Sequence, residues 1–224
     1  SSILDLAFNE NIGFSHFVSI GSMLDIDFGD MIDYLGNDPK VKSILLYIES
    51  LTNFRKFMSA ARSVSRIKPI IVLKSGTSAA GAKAAASHTG AMAGEDAVYD
   101  TAFKRAGIVR VNTIEELFDC AELMAKQAHP SGSRLAIITN GGGPGVMATD
   151  ALAKHGHEPA VLDVDTMDEL NAILPPFWSH GNPIDILGDA SPDVFSNTLK
   201  ACLKSKSMDG VLVILAPQAL TEPL

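Results

Sequence analysis

Residues 135–155 read LAIITNGGGPGVMATDALAKH, and the reading of this stretch decides the fold. Leu135–Asn140 is a short apolar run of strand type, Gly141–Gly145 is a turn of glycines around Pro144, and Val146–His155 carries helical spacing. A strand that feeds a helix through a glycine turn is the unit from which parallel, helix-covered sheets are built. Backbone N–H groups freed at such a turn lie at the positive end of the helix, where an anion can be received. The turn is not GxGxxG, and no acidic residue is evident in the expected ribose position, so a Rossmann dinucleotide site is a weak reading. A tight turn with no ligand is the alternative that spacing leaves open.

The same alternation runs outward in both directions. Downstream, a strand is expected near Pro159–Leu162, a helix over Thr166–Leu174, an irregular Pro-rich stretch, a helix over Asp193–Lys204 and a strand over Val211–Leu215. Upstream, strands are expected over His16–Ile20, Ser43–Ile48, Ile70–Lys74 and Ile108–Val111. Between them come helices over Phe28–Leu35, Asn53–Ile67, Glu95–Ala106 and Ile114–Lys126. His129–Ser133 (HPSGS) is the best linker, by its turn residues. The pattern therefore predicts two α/β domains with mostly parallel sheets, 1–129 and 130–224. The second ends on a strand and is expected to be truncated at its C-terminus. The chain starts Ser1-Ser2, without Met, and runs straight into the helical pattern Ile3, Leu4, Leu6, Ala7, as expected of part of something longer.

Composition narrows the class. Hydrophobic residues make up 46% of the 224 and charged residues 20%, enough for a packed core. Aromatics are only 6%, so the core must be mainly aliphatic. Eighteen basic residues face 26 acidic ones, with no basic cluster, which argues against nucleic acid as a partner. No apolar run reaches the ~18 residues that span a bilayer, and no signal-peptide pattern opens the chain. Cys120 and Cys202 sit in helical patterns without metal-ligand spacing and read as free thiols of a reducing compartment. A cytoplasmic protein without a metal site or a membrane partner is expected.

One segment differs in kind. Ser75–Gly94, SGTSAAGAKAAASHTGAMAG, is built almost wholly from small side chains, which let backbone approach a ligand closely. Gly76 and Gly81 have Walker spacing, but Ala82 stands where the lysine must be, so this is no P-loop. His88 lies among these small residues, just before a helix. Imidazole titrates near pH 6.5 and is a competent nucleophile near neutrality. Attack through one ring nitrogen requires an acceptor on the other. Glu49 ends the strand SILLYI, at the edge where α/β sheets build their sites, and is a candidate acceptor. Spacing does not show the pairing. His16, His129, His155, His157 and His180 have bland surroundings and read as structural or solvent-facing.

The segments SILLYIE (43–49), KPIIVLKSGTSAAGAKAAASHTGAMAG (68–94) and LAIITNGGGPGVMATDAL (135–152) together resemble the NDP-forming acyl-CoA synthetases. That family includes ADP-forming acetate–CoA ligase, with succinyl-CoA synthetase a more distant relative. FSHFVSIGSMLDIDFGDMIDYL and NPIDILGDA extend the resemblance over nearly the whole chain. It implies two flavodoxin-like, three-layer domains of the succinyl-CoA synthetase type. It also implies that His88 becomes phosphorylated, that Glu49 steadies it, and that two helix N-termini face the phosphate. These would follow Thr89-Gly90 and Gly141–Gly145, with Ser87, Thr89, Gly90, Asn140, Gly141, Gly142, Gly143 and Gly145 as phosphate-binding positions. Ser22 departs from the family pattern, replacing the usual Asn after the glycine of VSIG.

The family reaction exchanges acyl-CoA, ADP and phosphate with carboxylic acid, CoA and ATP, by way of an acyl phosphate and a phosphohistidine. CoA and ATP/ADP with Mg are thus the cofactors implied for a complete enzyme, and none is needed for this chain to fold. A CoA-binding Rossmann-type domain, an ATP-grasp domain or subunit and a small carboxylic acid or acyl-CoA are the implied partners. A homo-oligomer is among the expected assemblies. On this reading the chain alone should not turn over. Two other readings are a regulatory acyl-CoA-sensing region of a protein lysine acetyltransferase and a non-catalytic flavodoxin-like binding module. Intact His88 and Glu49 favour the ligase, since a sensor needs neither.

Overall fold

The computed structural model describes residues 2–9, 12–78, 80, 81, 83, 95–128 and 130–218. Two compact units emerge, Ser1–Ala128 and His129–Leu224. The first unit contains α1 (Ser2–Asn9), α2 (Phe28–Asn37), β1 (Ile44–Ile48), α3 (Phe54–Val64), β2 (Ile70–Lys74), α4 (Asp96–Ala106), β3 (Val109–Val111) and α5 (Ile114–Lys126). Its strands form a parallel sheet in the order β1-β2-β3.

Central strand β2 is buried along its whole length, as a strand covered on both faces must be. Its alternation sorts the two cores. Ile70 and Val72 join Ile44, Leu46 and Ile48 of β1 against Ile32, Phe57, Ala61 and Phe103 of α2, α3 and α4. Ile71 and Leu73 point the other way, onto Leu117 and Ala121 of α5. Three layers result, with an aliphatic sheet in the middle. The helices start where polar caps allow. Asp27 and Asp30 form a reciprocal capping box on α2, Asn53 caps α3 and Thr113 caps α5.

The second unit contains β4 (Leu135–Thr139), α6 (Gly142–Lys154), α7 (Val164–Ile173), β5 (Ile184–Asp185), α8 (Pro192–Lys204) and β6 (Gly210–Ile214). Its parallel sheet has the order β5-β4-β6. Ala136 and Ile138 of β4 meet Leu170 of α7 and Ala201 and Cys202 of α8 on one face. Helix α6 packs on β4 and β5. The ends of β4 and β6 are clamped by Arg134, which donates to both carboxylate oxygens of Asp209 at 2.8 and 2.9 Å. These bonds hold the Asp209 carboxyl well below the usual carboxylate range.

Three expectations are corrected. Residues 16–20 form no strand, and Phe17 and Val18 stand half-exposed. An apolar run becomes a strand only beside a partner ladder, and among the described residues none lies there. The strand expected near Pro159–Leu162 is a single bridge, Pro159 to Leu135, with the Ala160 N–H on the Leu135 carbonyl at 2.8 Å. The Asn182 side chain takes up the backbone groups that a longer ladder would use. It accepts from the Ile137 N–H at 2.9 Å and donates to the Leu135 and Ala160 carbonyls at 2.9 and 2.8 Å. Finally, α6 starts at Gly142, four residues before the expected Val146. Pro144 lacks only an N–H that the first helical turn leaves unpaired anyway.

Thr198 on α8 is fully buried, and its hydroxyl has no hydrogen-bond partner among the described residues. Thr198→Val should therefore raise the stability of the second unit by about 1 kcal/mol, because the unsatisfied hydroxyl is removed at nearly constant shape. Trp178 is the single tryptophan and lies buried in that unit's core, so its fluorescence reports the denaturation midpoint. A lowered midpoint would mean that the hydroxyl has a partner.

Candidate functional site

The C-terminal edges of the two parallel sheets carry Glu49 in the first unit and Asn140 with the glycines after it in the second. In the first unit, Glu49 follows β1 directly and is half-buried. The Ser75 N–H donates to the Ile48 carbonyl at 3.0 Å, tying the start of the small-residue segment to the strand beside it. The Leu51 N–H donates to the Tyr99 hydroxyl at 3.3 Å, which fastens the loop after Glu49 to α4. Ser87, His88, Thr89 and Gly90 lie outside the described residues.

Sequence reasoning missed the charged group at this edge. Lys74 ends β2 opposite Ile48, and only 4% of its surface is exposed. Its ammonium donates to the Ser75 carbonyl and lies 4.8 Å from the centre of the Tyr99 ring. Burial lowers the Lys74 pKa; the negative charges of Asp96 and Glu49 oppose that shift, and Arg110 adds to it. Asp96, at the first position of α4, is held by Arg110 of β3 at 2.7 Å. The available signal was a lysine closing an otherwise aliphatic strand, IIVLK.

In the second unit the Thr139 hydroxyl shapes the glycine turn, donating to the Gly141 carbonyl at 2.9 Å and accepting from the Gly141 N–H at 3.1 Å. Asn140 is buried. Its amide donates to the Ala216 carbonyl at 2.9 Å and accepts from the Ala216 N–H at 2.7 Å, pinning the chain that leaves β6 beside the glycines. Gly142 and Gly143 form the exposed first turn of α6, and Gly141 provides no side-chain cap. Among the described residues neither the Gly142 nor the Gly143 N–H has a partner. Two free donors at a helix start form an electropositive spot.

The glycines after β4 differ in the room they have. A Cβ on Gly145 would come within 3.1 Å of Thr139 Cγ2 and 3.2 Å of Pro183 Cβ, so this position lets the helix lie close on the sheet. One on Gly142 would meet Asp185 Oδ2 at 3.3 Å. At Gly143 nothing stands within 4 Å, so packing does not call for glycine there. Asp185, at the end of β5, is a second group that sequence reasoning missed; it accepts from the Leu187 N–H at 3.0 Å.

The two thiols are poor nucleophiles. Burial raises Cys120 and pushes Cys202 up to about 11. No helix among the described residues is long and apolar enough to cross a membrane.

Two α/β units with parallel sheets, each presenting polar groups at its strand ends, define the class of protein. Residues 1–124 match the family model of the succinyl-CoA ligase-like flavodoxin domain, and residues 135–224 match that of the ligase-CoA domain. The chain belongs to the NDP-forming acyl-CoA synthetase family. It is 42% identical over 205 residues to the alpha subunit of acetate–CoA ligase [ADP-forming] II from Pyrococcus furiosus, covering 92% of this chain and 45% of that subunit. It is also 42% identical over 218 residues to acetate–CoA ligase [ADP-forming] I from Archaeoglobus fulgidus, covering 97% of this chain and 32% of that protein. A solved structure of dinucleotide-forming acetyl-coenzyme A synthetase 1 from Ca. Korarchaeum cryptofilum, in complex with phosphate and ADP, superposes with a TM-score of 0.92 at 38% identity. It covers 98% of this chain and 48% of that one. The chain thus spans less than half the length of each of these relatives.

Proposed function

We propose that the chain is the phosphoryl-relay part of an NDP-forming acyl-CoA synthetase, an acid–thiol ligase, with His88 as the group that carries phosphate. The carrying observation is the match to ADP-forming acetate–CoA ligases along nearly the whole chain, with both family domains in order. In the relay, one imidazole nitrogen of His88 attacks the phosphorus of an acyl phosphate and the carboxylate leaves. A terminal oxygen of the nucleoside diphosphate then attacks the phosphohistidine, and the imidazole leaves in turn. Glu49 accepts from the other ring nitrogen and stabilises the positive charge that attack creates there. Ser87, Thr89 and Gly90 bind the phosphoryl group beside His88. The Gly142 and Gly143 N–H groups offer a second anion site, and Asn140, Gly141 and Gly145 set the turn that exposes them.

A CoA-binding domain, an ATP-grasp domain and the Mg²⁺ that accompanies the nucleotide complete the enzyme on this reading, in the cytoplasm. The sensor alternative gains no support from the relatives, which are ligases by name. The test supplies the chain with an ATP-grasp domain from an acetate–CoA ligase and with γ-labelled ATP. Acid-labile, base-stable phosphate on the chain is the expected result, and its absence would reject the relay.

The anion site has its own test. Gly143→Glu places a carboxylate in the first turn of α6, where it favours the helix and has room. Unfolding midpoints should hold or rise slightly, while phosphate transfer falls about tenfold as the new charge occupies the electropositive spot. Unchanged transfer with unchanged stability would remove Gly142 and Gly143 from the phosphate path.

A further inference from the structure

Charge is spread unevenly along the chain. Residues 1–39 hold seven of the 26 acidic residues and none of the 18 lysines and arginines, so this segment accounts for almost all of the net charge of -8. The same segment exposes large apolar side chains. Leu24 is 94% exposed, Tyr34 62% and Ile26 52%.

These side chains stand on one piece of the first unit. Helix α2 buries Gly29, Ile32 and Gly36. A surface helix with that inward face is expected to be polar on the other. Met31 and Tyr34 instead lie three positions apart, as helical neighbours do, and line an open groove of about 560 Å³ together with Ile26, Asp25 and Asp30. Lys56 of α3 bridges Asp27 and Asp30. Asp25 and Asp33 are exposed, and among the described residues neither forms an ion pair. An apolar floor with unpaired carboxylates at its rim has the anatomy of a protein–protein contact.

We propose that the groove of Ile26, Met31 and Tyr34 is a docking face for a basic, amphipathic helix of a partner protein. Charge selects this occupant. A second copy seated here would bring its own acidic segment against this one, and nucleic acid or an anionic bilayer would meet the same repulsion. A helix with an apolar stripe flanked by lysine or arginine satisfies both features of the groove. Its stripe covers Ile26, Met31 and Tyr34, and its cations meet Asp25 and Asp33. The docking face requires no role for His88 or Glu49.

The probe is a fluorescein-labelled helical peptide with leucine on one face and lysine on the other, followed by fluorescence anisotropy. Leu24→Ser combined with Ile26→Ser should weaken its binding at least about tenfold, because apolar contact is lost. Both side chains are too exposed to hold the fold, so unfolding midpoints should stay native; Tyr34→Ser is the second variant and should act in the same direction. Asp25→Asn combined with Asp33→Asn should weaken binding about three- to tenfold at low salt and flatten its salt dependence. Val161→Ser with Leu203→Ser removes exposed apolar surface from the second unit and should change nothing. Equal weakening by that pair, or none by the groove variants, would reduce the binding to general attraction and overturn the site. No binding to the native chain, or equal binding of a peptide with glutamate in place of lysine, would overturn the basic partner. A native dimer in sedimentation that Leu24→Ser with Ile26→Ser dissociates would make a second copy the occupant and overturn the proposal as well.

Discussion

His88→Asn is expected to abolish acid-labile phosphate on the chain, a loss of at least about a hundredfold, because asparagine offers no nucleophilic nitrogen in place of imidazole. Fold and unfolding midpoint should be unaffected. Glu49→Gln provides the graded companion. It keeps an acceptor oxygen but loses the charge, and a charge-assisted hydrogen bond is about twice as strong as a neutral one. Label yield should fall about three- to tenfold rather than vanish. Phosphate that persists on His88→Asn would place the nucleophile elsewhere, and an unchanged yield in Glu49→Gln would count against its role. The two substitutions separate the group that is phosphorylated from the group that steadies it.

The second large effect is one of packing. Gly36 is buried on α2, where a Cβ would sit 2.5 Å from Cγ2 and 3.1 Å from Cγ1 of Val64 on α3. Both neighbours belong to a β-branched side chain with little rotamer freedom, so the helices would have to move apart. Gly36→Ala gains up to about 1 kcal/mol of helix propensity, yet overpacking of this severity costs about 1–3 kcal/mol. The variant should thus lose about 1–2 kcal/mol in the first unit. Far-UV circular dichroism reads this loss, and Trp178 fluorescence provides a control from the second unit. Val64→Ala leaves a cavity on its own, but with Gly36→Ala the new methyl fills it. A double-mutant cycle should give a favourable coupling above about 1 kcal/mol. A coupling near zero would mean that the helices do not meet at this pair.

Much of the architecture was legible because local patterns encode local structure. The apolar runs within SILLYI and IIVLK became β1 and β2, and Ile114–Lys126 became α5 with the expected bounds. The glycines follow β4 as expected, but Gly142–Gly145 form the first turn of α6 and not a separate turn ahead of it. His16–Ile20 was misread because an apolar run records only a tendency to be extended. The two-residue β5 was missed because its strand character rests on pairing with β4 and not on its own composition. At the candidate site, Glu49 and the glycines were readable from their places after strands.

The sequence by itself determined the α/β class, the aliphatic core, the positions of most helices and strands, and the motifs that mark the family. These are set by side-chain period, glycine and proline placement and residue chemistry, all of which act over a few positions. Only the tertiary structure decided that Lys74 is buried beside Tyr99, that Asn182 substitutes for a strand partner, and that Asn140 is taken up by Ala216. Such bonds join residues tens of positions apart, and strand register and helix docking select them. Periodicity along the chain carries no record of that choice.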